Sequence, residues 1–183
     1  QAWLVLISAC WLLADQAVAV GEEFEPTWDS LSQQPIPQWL KDAKFGVYTH
    51  WGVYSVPAHG GPDYVRNLYE GATTDKKGVY SYHTQKYGSL KEFGYKDFIP
   101  MFKAEKFDAE WLMDKYAAAG AKYFCAQAVH HDNFDNWDSA HNDWNSVKIG
   151  PEKDIVGMFQ SAAKKRGMPF GVTEHLGATF SWW

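Results

Sequence analysis

The stretch that decides the fold covers residues 44–52 and reads Lys-Phe-Gly-Val-Tyr-Thr-His-Trp-Gly. Residues 44–49 combine aromatic and β-branched side chains in a short run, which predicts a β-strand. His50 and Trp51 follow at once, so polar and aromatic groups stand at the carboxyl end of this strand. Functional groups gather at the carboxyl ends of strands in parallel β/α proteins. The pattern therefore favours that architecture.

Two further units repeat this pattern downstream. Residues 122–129 and 170–173 predict a second and a third strand, and predicted helices with Asp108 and Asp154 as N-caps precede them. The polar residues that follow these two strands are His130, His131, Asp132, Glu174 and His175. Strands that alternate with helices predict an α/β fold with a parallel sheet.

The rest of the chain divides into a lead-in and a long connection. Residues 20–37 contain Pro26, Pro35 and Pro37 and predict an extended lead-in. Residues 53–105 connect the first two units, with short helices expected near residues 64–69 and 95–102. Such a long connection is usually functional.

Composition excludes two classes of partner. The 183 residues contain 17 Lys and Arg against 22 Asp and Glu, for a net charge of −5, so nucleic acid and anionic membrane surfaces are not expected to bind. Aromatic residues make up 17% of the chain and include 10 Trp. Such rings fill a core and also supply flat apolar surfaces on which sugar C–H groups can lie.

The first nineteen residues resemble a secretory signal peptide, N-terminally incomplete. An apolar run at residues 2–14 is too short for a membrane span, and residues 17–19 form a small-x-small cleavage pattern. We therefore expect export to a periplasm, the extracellular space or a lysosome-like lumen. Lipoprotein processing at Cys10 is the alternative. After cleavage Cys125 has no partner for a disulfide, and its apolar surroundings predict an inert buried thiol.

The strand ends are expected to meet in one pocket. It would contain His50, His130, His131 and His175, with Asp132 and Glu174 beside them. A metal site is the rival interpretation, but no His-x-His pair follows the first strand and adjacent histidines suit one ion poorly. We therefore expect neither a metal nor another cofactor. The remaining histidines, expected in solvated loops, are His59, His83 and His141.

A resemblance to a known family rests on residues 37–57, PQWLKDAKFGVYTHWGVYSVP, which look like the opening of the family 29 α-L-fucosidases. The later matching segments are Tyr95-Lys-Asp-Phe98, Phe107-Asp-Ala-Glu-Trp111, Ala119-Gly-Ala-Lys-Tyr123, His130-His131-Asp132, Trp137-Asp-Ser139 and Asp154-Ile-Val-Gly157. They occur in the family's order and spacing, and the resemblance covers residues 35–183.

The resemblance implies the N-terminal portion of a (β/α)8-like (TIM) barrel, with about three strands, over residues 38–183. It implies that His50, His130 and His131 hold sugar hydroxyls. Asp63-Tyr64 is the nearest match to an acidic-aromatic pair that contacts the sugar. Two further departures from the family are Asn133, where Gly is common, and His175, near a position often filled by a sugar-contacting Tyr.

The function implied by the resemblance is an exo-acting retaining α-L-fucosidase acting on fucosylated oligosaccharides or glycoconjugates. Retaining enzymes need two carboxyl groups about 5–5.5 Å apart. The family's nucleophile and acid/base are expected beyond Trp183, so no catalytic residue is assigned within this chain. A non-catalytic fucose-binding or sugar-binding relative of the same fold is the alternative, and a metal-using barrel hydrolase is a third possibility.

Overall fold

A computed structural model describes residues 24–177, so the predicted signal peptide lies outside the described residues. The chain divides into two compact units, with the boundary between Gln38 and Trp39. The first unit contains helix α1 (Trp28–Leu31), a single turn that interrupts the extended lead-in predicted from the sequence. Helix α2 (Gln38–Ala43) follows along the chain.

Three parallel strands form the sheet of the second unit, in the order β1 (Val47–Thr49), β2 (Phe124–Val129) and β3 (Phe170–Glu174). The predicted α/β class and the three strands are confirmed. β1 begins later than predicted because Lys44 has a left-handed backbone, with φ of 61°. This conformation is foreign to a strand, so the extended run starts only beyond it.

Two helices cover one face of the sheet. They are α5 (Ala109–Ala118) and α6 (Ile155–Lys165), and both predicted N-caps are confirmed: Asp108 accepts a hydrogen bond from the amide of Trp111, and Asp154 accepts one from Gly157, at 2.9 and 2.8 Å. Phe124 of β2 is completely buried on this face, 4.9 Å from the Phe159 ring of α6. Apolar burial therefore fixes the helices to the sheet.

The long connection folds into helices around an aromatic core. It contains 3-10 helices at Val53–Ser55 and Tyr95–Met101 and the α-helices α3 (Tyr64–Gly71) and α4 (Val79–Tyr87). The short helices expected near residues 64–69 and 95–102 are confirmed, and α4 is additional. The prediction that His83 is solvated is wrong, because this residue lies in α4 and is fully buried. Its Nε2 donates to the Phe93 carbonyl at 2.9 Å.

One irregularity interrupts the pairing of β2 with β3. Gln127 pairs with Thr173, but the next aligned pair is Val129 with Glu174, so Ala128 is an extra residue in β2. An extra residue of this kind changes which side chains share a face beyond it.

Two further observations concern membrane spans and the thiol of Cys125. No helix within residues 24–177 combines the length and apolar character needed to cross a membrane. Cys125 is only partly buried, so the prediction of a buried thiol is wrong. Burial still raises the pKa of this thiol, which disfavours the nucleophilic thiolate.

Candidate functional site

Four imidazole rings meet beyond the carboxyl ends of the three strands. The ring centroids of His50 and His130 are 4.7 Å apart, and each lies 5.1 Å from His175. The His131 centroid is 4.8 Å from that of His130 and 5.8 Å from that of His175. We call these four residues the histidine cluster. The sequence anticipates this convergence, and the structure brings all four rings together.

The irregularity at Ala128 explains why His130 belongs to the cluster. Strict alternation would place even-numbered residues of β2 on the face opposite Gln127. The extra residue resets the alternation, so His130 points to the same side as Gln127 while β3 continues regularly to His175. The amide of His175 still donates to the Val129 carbonyl at 3.0 Å, which fixes the two strand ends side by side.

Two tyrosines, Tyr48 and Tyr54, contact rings of the cluster. The Tyr48 hydroxyl lies 3.0 Å from Nε2 of His175 and accepts a 3.3 Å hydrogen bond from the Thr173 hydroxyl. The Tyr54 hydroxyl donates to Oε1 of Gln127 at 2.8 Å, and its ring lies 5.1 Å from that of His130. Sequence reasoning missed these supports, although Tyr48 precedes His50 by two residues and alternation puts both on one face.

The segment after β1 is clamped to β2. The side-chain amide of Gln127 in β2 donates to the Trp51 carbonyl at 3.5 Å, and the side-chain amide of Asn136 donates to the same carbonyl at 3.1 Å. The Trp51 ring packs against Phe102 and Phe107, with centroids 5.0 and 5.4 Å away. These contacts hold both the carbonyl group and the ring of Trp51. Because His50 directly precedes Trp51, its backbone has a fixed position relative to the end of β2.

Burial favours the neutral form of three rings of the cluster, those of His50, His130 and His131. Burial first, and then the neighbouring imidazoles, lower the pKa of His130 to about 3. The pKa values of His50 and His131 are also lowered, mainly by burial and then by His175. A neutral imidazole offers one donor and one acceptor, which matches the hydrogen-bonding capacity of a hydroxyl group.

The predicted acidic-aromatic pair separates in space. Asp63 is exposed just before α3, and its negative charge acts on His50 and His131. Tyr64 is fully buried in the aromatic core, and its hydroxyl lies 2.9 Å from Nδ1 of His83. The expected position of Tyr64 at the site is therefore corrected: core packing holds this ring away from the cluster.

The two carboxyl groups expected beside the histidines have other neighbours. Asp132 is buried, and it accepts hydrogen bonds from the Tyr95 hydroxyl at 2.6 Å and from the Phe134 amide at 3.3 Å. Burial raises its pKa to about 6 against the opposing effect of these hydrogen bonds. Glu174 is exposed and its charge acts on Asp135.

The turn after Asp132 explains one departure from the family pattern. Asn133 has a left-handed backbone with φ of 57°. Glycine adopts this conformation without steric cost, and asparagine tolerates it better than most residues. Asn133 therefore preserves the turn that a glycine would make.

The cluster also has the composition of a metal site. One ring nitrogen from each of His50, His130 and His175 lies within 4.8 Å of the others. The site can thus supply hydrogen bonds to hydroxyl groups or nitrogen ligands to an ion.

Comparison with protein families gives one match over nearly the whole chain. A family model described as alpha-L-fucosidase matches residues 11–182. Rat tissue alpha-L-fucosidase is 39% identical over 184 residues, covering 98% of this chain and 38% of that protein. The human tissue alpha-L-fucosidase is 38% identical over 154 residues, covering 84% of this chain and 32% of that protein. The chain therefore spans between 32% and 38% of the length of these two relatives.

Solved structures give the same match. A Thermotoga maritima alpha-fucosidase crystallised with fucose is 37% identical, with a TM-score of 0.71 over 82% of this chain and 37% of that one. An alpha-L-fucosynthase from the same organism, in complex with alpha-L-Fuc-(1-2)-beta-L-Fuc-N3, is 34% identical, with a TM-score of 0.72 over 81% of this chain and 37% of that one.

Proposed function

The chain belongs to the α-L-fucosidase family, and from this we propose that the full-length protein is an exo-acting retaining α-L-fucosidase that removes terminal α-linked L-fucose from glycans. The observation that carries the proposal is the histidine cluster, which gathers four imidazole rings at the ends of three parallel strands. The substrate of the full-length protein would be a fucosylated oligosaccharide or glycoconjugate.

The proposed role of the cluster is to hold and orient sugar hydroxyl groups. His130 is the most buried ring and would form the floor, with His50, His131 and His175 around it. The bound sugar would displace water from this partly buried site, and each hydrogen bond would help to fix the sugar relative to the reacting bond. Asp63 stands at the rim, where its exposed carboxylate could accept a hydrogen bond from a hydroxyl group.

We further propose that the three strands open a (β/α)8 barrel whose later strands carry the reaction. Such a barrel takes about 250 residues, and the relatives extend well beyond the length of this chain. Retention requires a nucleophile and an acid/base about 5–5.5 Å apart. Asp132 is unsuited to either role because its two oxygens are engaged by Tyr95 and Phe134. Both groups would then follow Trp183.

An assay of the full-length protein on 4-nitrophenyl α-L-fucoside tests this function. We expect release of nitrophenol, and proton NMR of the first-formed sugar should show the α anomer. The β anomer would contradict the retaining mechanism. Fucose binding by calorimetry without any turnover would instead support the non-catalytic sugar-binding alternative.

We also propose that the protein is exported. The support is the apolar run at residues 2–14 followed by Ala17-Val18-Ala19. N-terminal sequencing of secreted material should begin at or near Val20. A mature soluble protein that retains residues 3–13 would contradict this prediction.

A further inference from the structure

We propose that the histidine cluster also binds a divalent transition-metal ion of the Zn²⁺ type through His50, His130 and His175, and that this ion competes with the sugar. The competition rests on the proposed function, whereas metal binding does not. Three imidazole nitrogens are a ligand set favoured by Zn²⁺, Cu²⁺ and Ni²⁺. Each of the three residues can offer one such nitrogen, and these atoms lie within 4.8 Å of one another.

The sequence spacing of the histidines argues against a metal site, but their arrangement in the fold does not. Adjacent His130 and His131 suit one ion poorly, but the proposed set of three ligands includes only His130 of this pair. Its other two members come from the ends of different strands, β1 and β3, which flank β2. The three ligands thus come from the ends of three neighbouring strands, and three protein ligands leave the fourth position of a tetrahedral ion open.

The distances require a small contraction. Nitrogen ligands lie about 2.0–2.1 Å from Zn²⁺, which places two of them about 3.3–3.4 Å apart in tetrahedral geometry. The separations of up to 4.8 Å must therefore shorten by as much as about 1.4 Å. His50 is exposed and His175 is half-buried, so side-chain rotation of these two rings can close the gap around His130.

The surroundings favour a cation in two ways. The negative charge of Asp63 acts on His50, so the rim attracts a cation. In addition, the Tyr48 hydroxyl lies 3.0 Å from Nε2 of His175 and can hydrogen-bond to that ring, as supporting groups do in protein metal sites.

Competition with fucose follows from shared atoms. A ring nitrogen that coordinates an ion has no lone pair left to accept a hydrogen bond from a hydroxyl group. The ion and the sugar therefore exclude each other from the cluster. Zn²⁺ should raise the apparent KM for an aryl fucoside with little change in kcat.

Calorimetry with ZnCl₂ on the EDTA-treated full-length protein tests metal binding. One ion should bind per chain, and His50→Ala and His175→Ala should each weaken its affinity at least tenfold. His141→Ala, in an exposed loop, is the matched control and should bind as the original does. Thermal melts show whether each variant is folded. The absence of a Zn²⁺ isotherm, or unchanged affinity in both folded variants, would overturn the proposal.

Kinetics at several Zn²⁺ concentrations test the competition. A protein that binds Zn²⁺ but hydrolyses no fucoside contradicts the proposed function and leaves the metal site standing. Metal binding without any rise in apparent KM in an active enzyme would overturn the competition. Removal of the ion with EDTA should restore the original KM.

Discussion

His131 is the member of the cluster whose removal tests sugar binding most directly, because it is half-buried and the core does not depend on its ring. His131→Ala should lower kcat/KM on an aryl α-L-fucoside by about 1–3 kcal/mol, or roughly 5- to 150-fold, since a sugar hydroxyl loses its partner. His141→Ala should leave kcat/KM unchanged. Equal kcat/KM values in the two variants would rule out this role for His131.

Asp132 should make the free energy of unfolding depend on pH. Its pKa is about 6 in the folded protein against an ordinary value of 3.8. Its stabilising contribution is therefore complete below about pH 4 and is lost as the pH rises through 6. Relative to Asp132→Asn, the original protein should lose about 2–3 kcal/mol between pH 4 and pH 7.

Urea unfolding at intervals between these pH values measures the difference. Asp138→Asn, at an exposed position six residues further on, serves as the control and should show the same pH dependence as the original protein. Parallel curves for the original protein and Asp132→Asn would contradict the assigned cause.

At the scale of elements, the start of α6 offers a clean test of local stability. Asp154 accepts the Gly157 amide at 2.8 Å, so Asp154→Ala should lower the free energy of unfolding by about 0.5–2 kcal/mol. Asp154→Asn keeps an oxygen acceptor and should lose much less. Thermal or urea unfolding of the two variants measures the loss, and equal losses would show that the hydrogen-bond acceptor is not the source of the stabilisation.

The elements differ in how far sequence could predict them, and the reason is the range of the interactions. The strands and the N-caps of α5 and α6 are determined mainly by interactions between residues close in sequence, so local sequence patterns predict them. Helix α4 mixes tyrosines with polar residues and shows no apolar stripe. It forms because His83 enters an aromatic core built from distant segments, and the same tertiary packing takes Tyr64 away from the site. The extra residue at Ala128 likewise has no local signal.

At the scale of the whole molecule, residues 20–183 alone should neither hydrolyse fucosides nor stay monomeric. Within the described residues β3 is an edge strand, with Val172 48% exposed and Leu176 44% exposed beyond it. Open edges and exposed apolar side chains promote association. Size-exclusion chromatography and a fucoside assay of this polypeptide measure both properties. Turnover would show that the carboxyl pair lies within this polypeptide and would contradict the proposed position of the pair.

The extra residue at Ala128 makes β2 sensitive to insertions and deletions. Gln127 and His130 are three positions apart and still face one side. With one residue fewer or one more between them, a regular strand would keep that orientation but move the imidazole about 3.3 Å along its axis. His130 would then be displaced along the strand axis and would no longer contact the rings of His50 and His175. The number of residues in this segment thus sets the depth of the pocket.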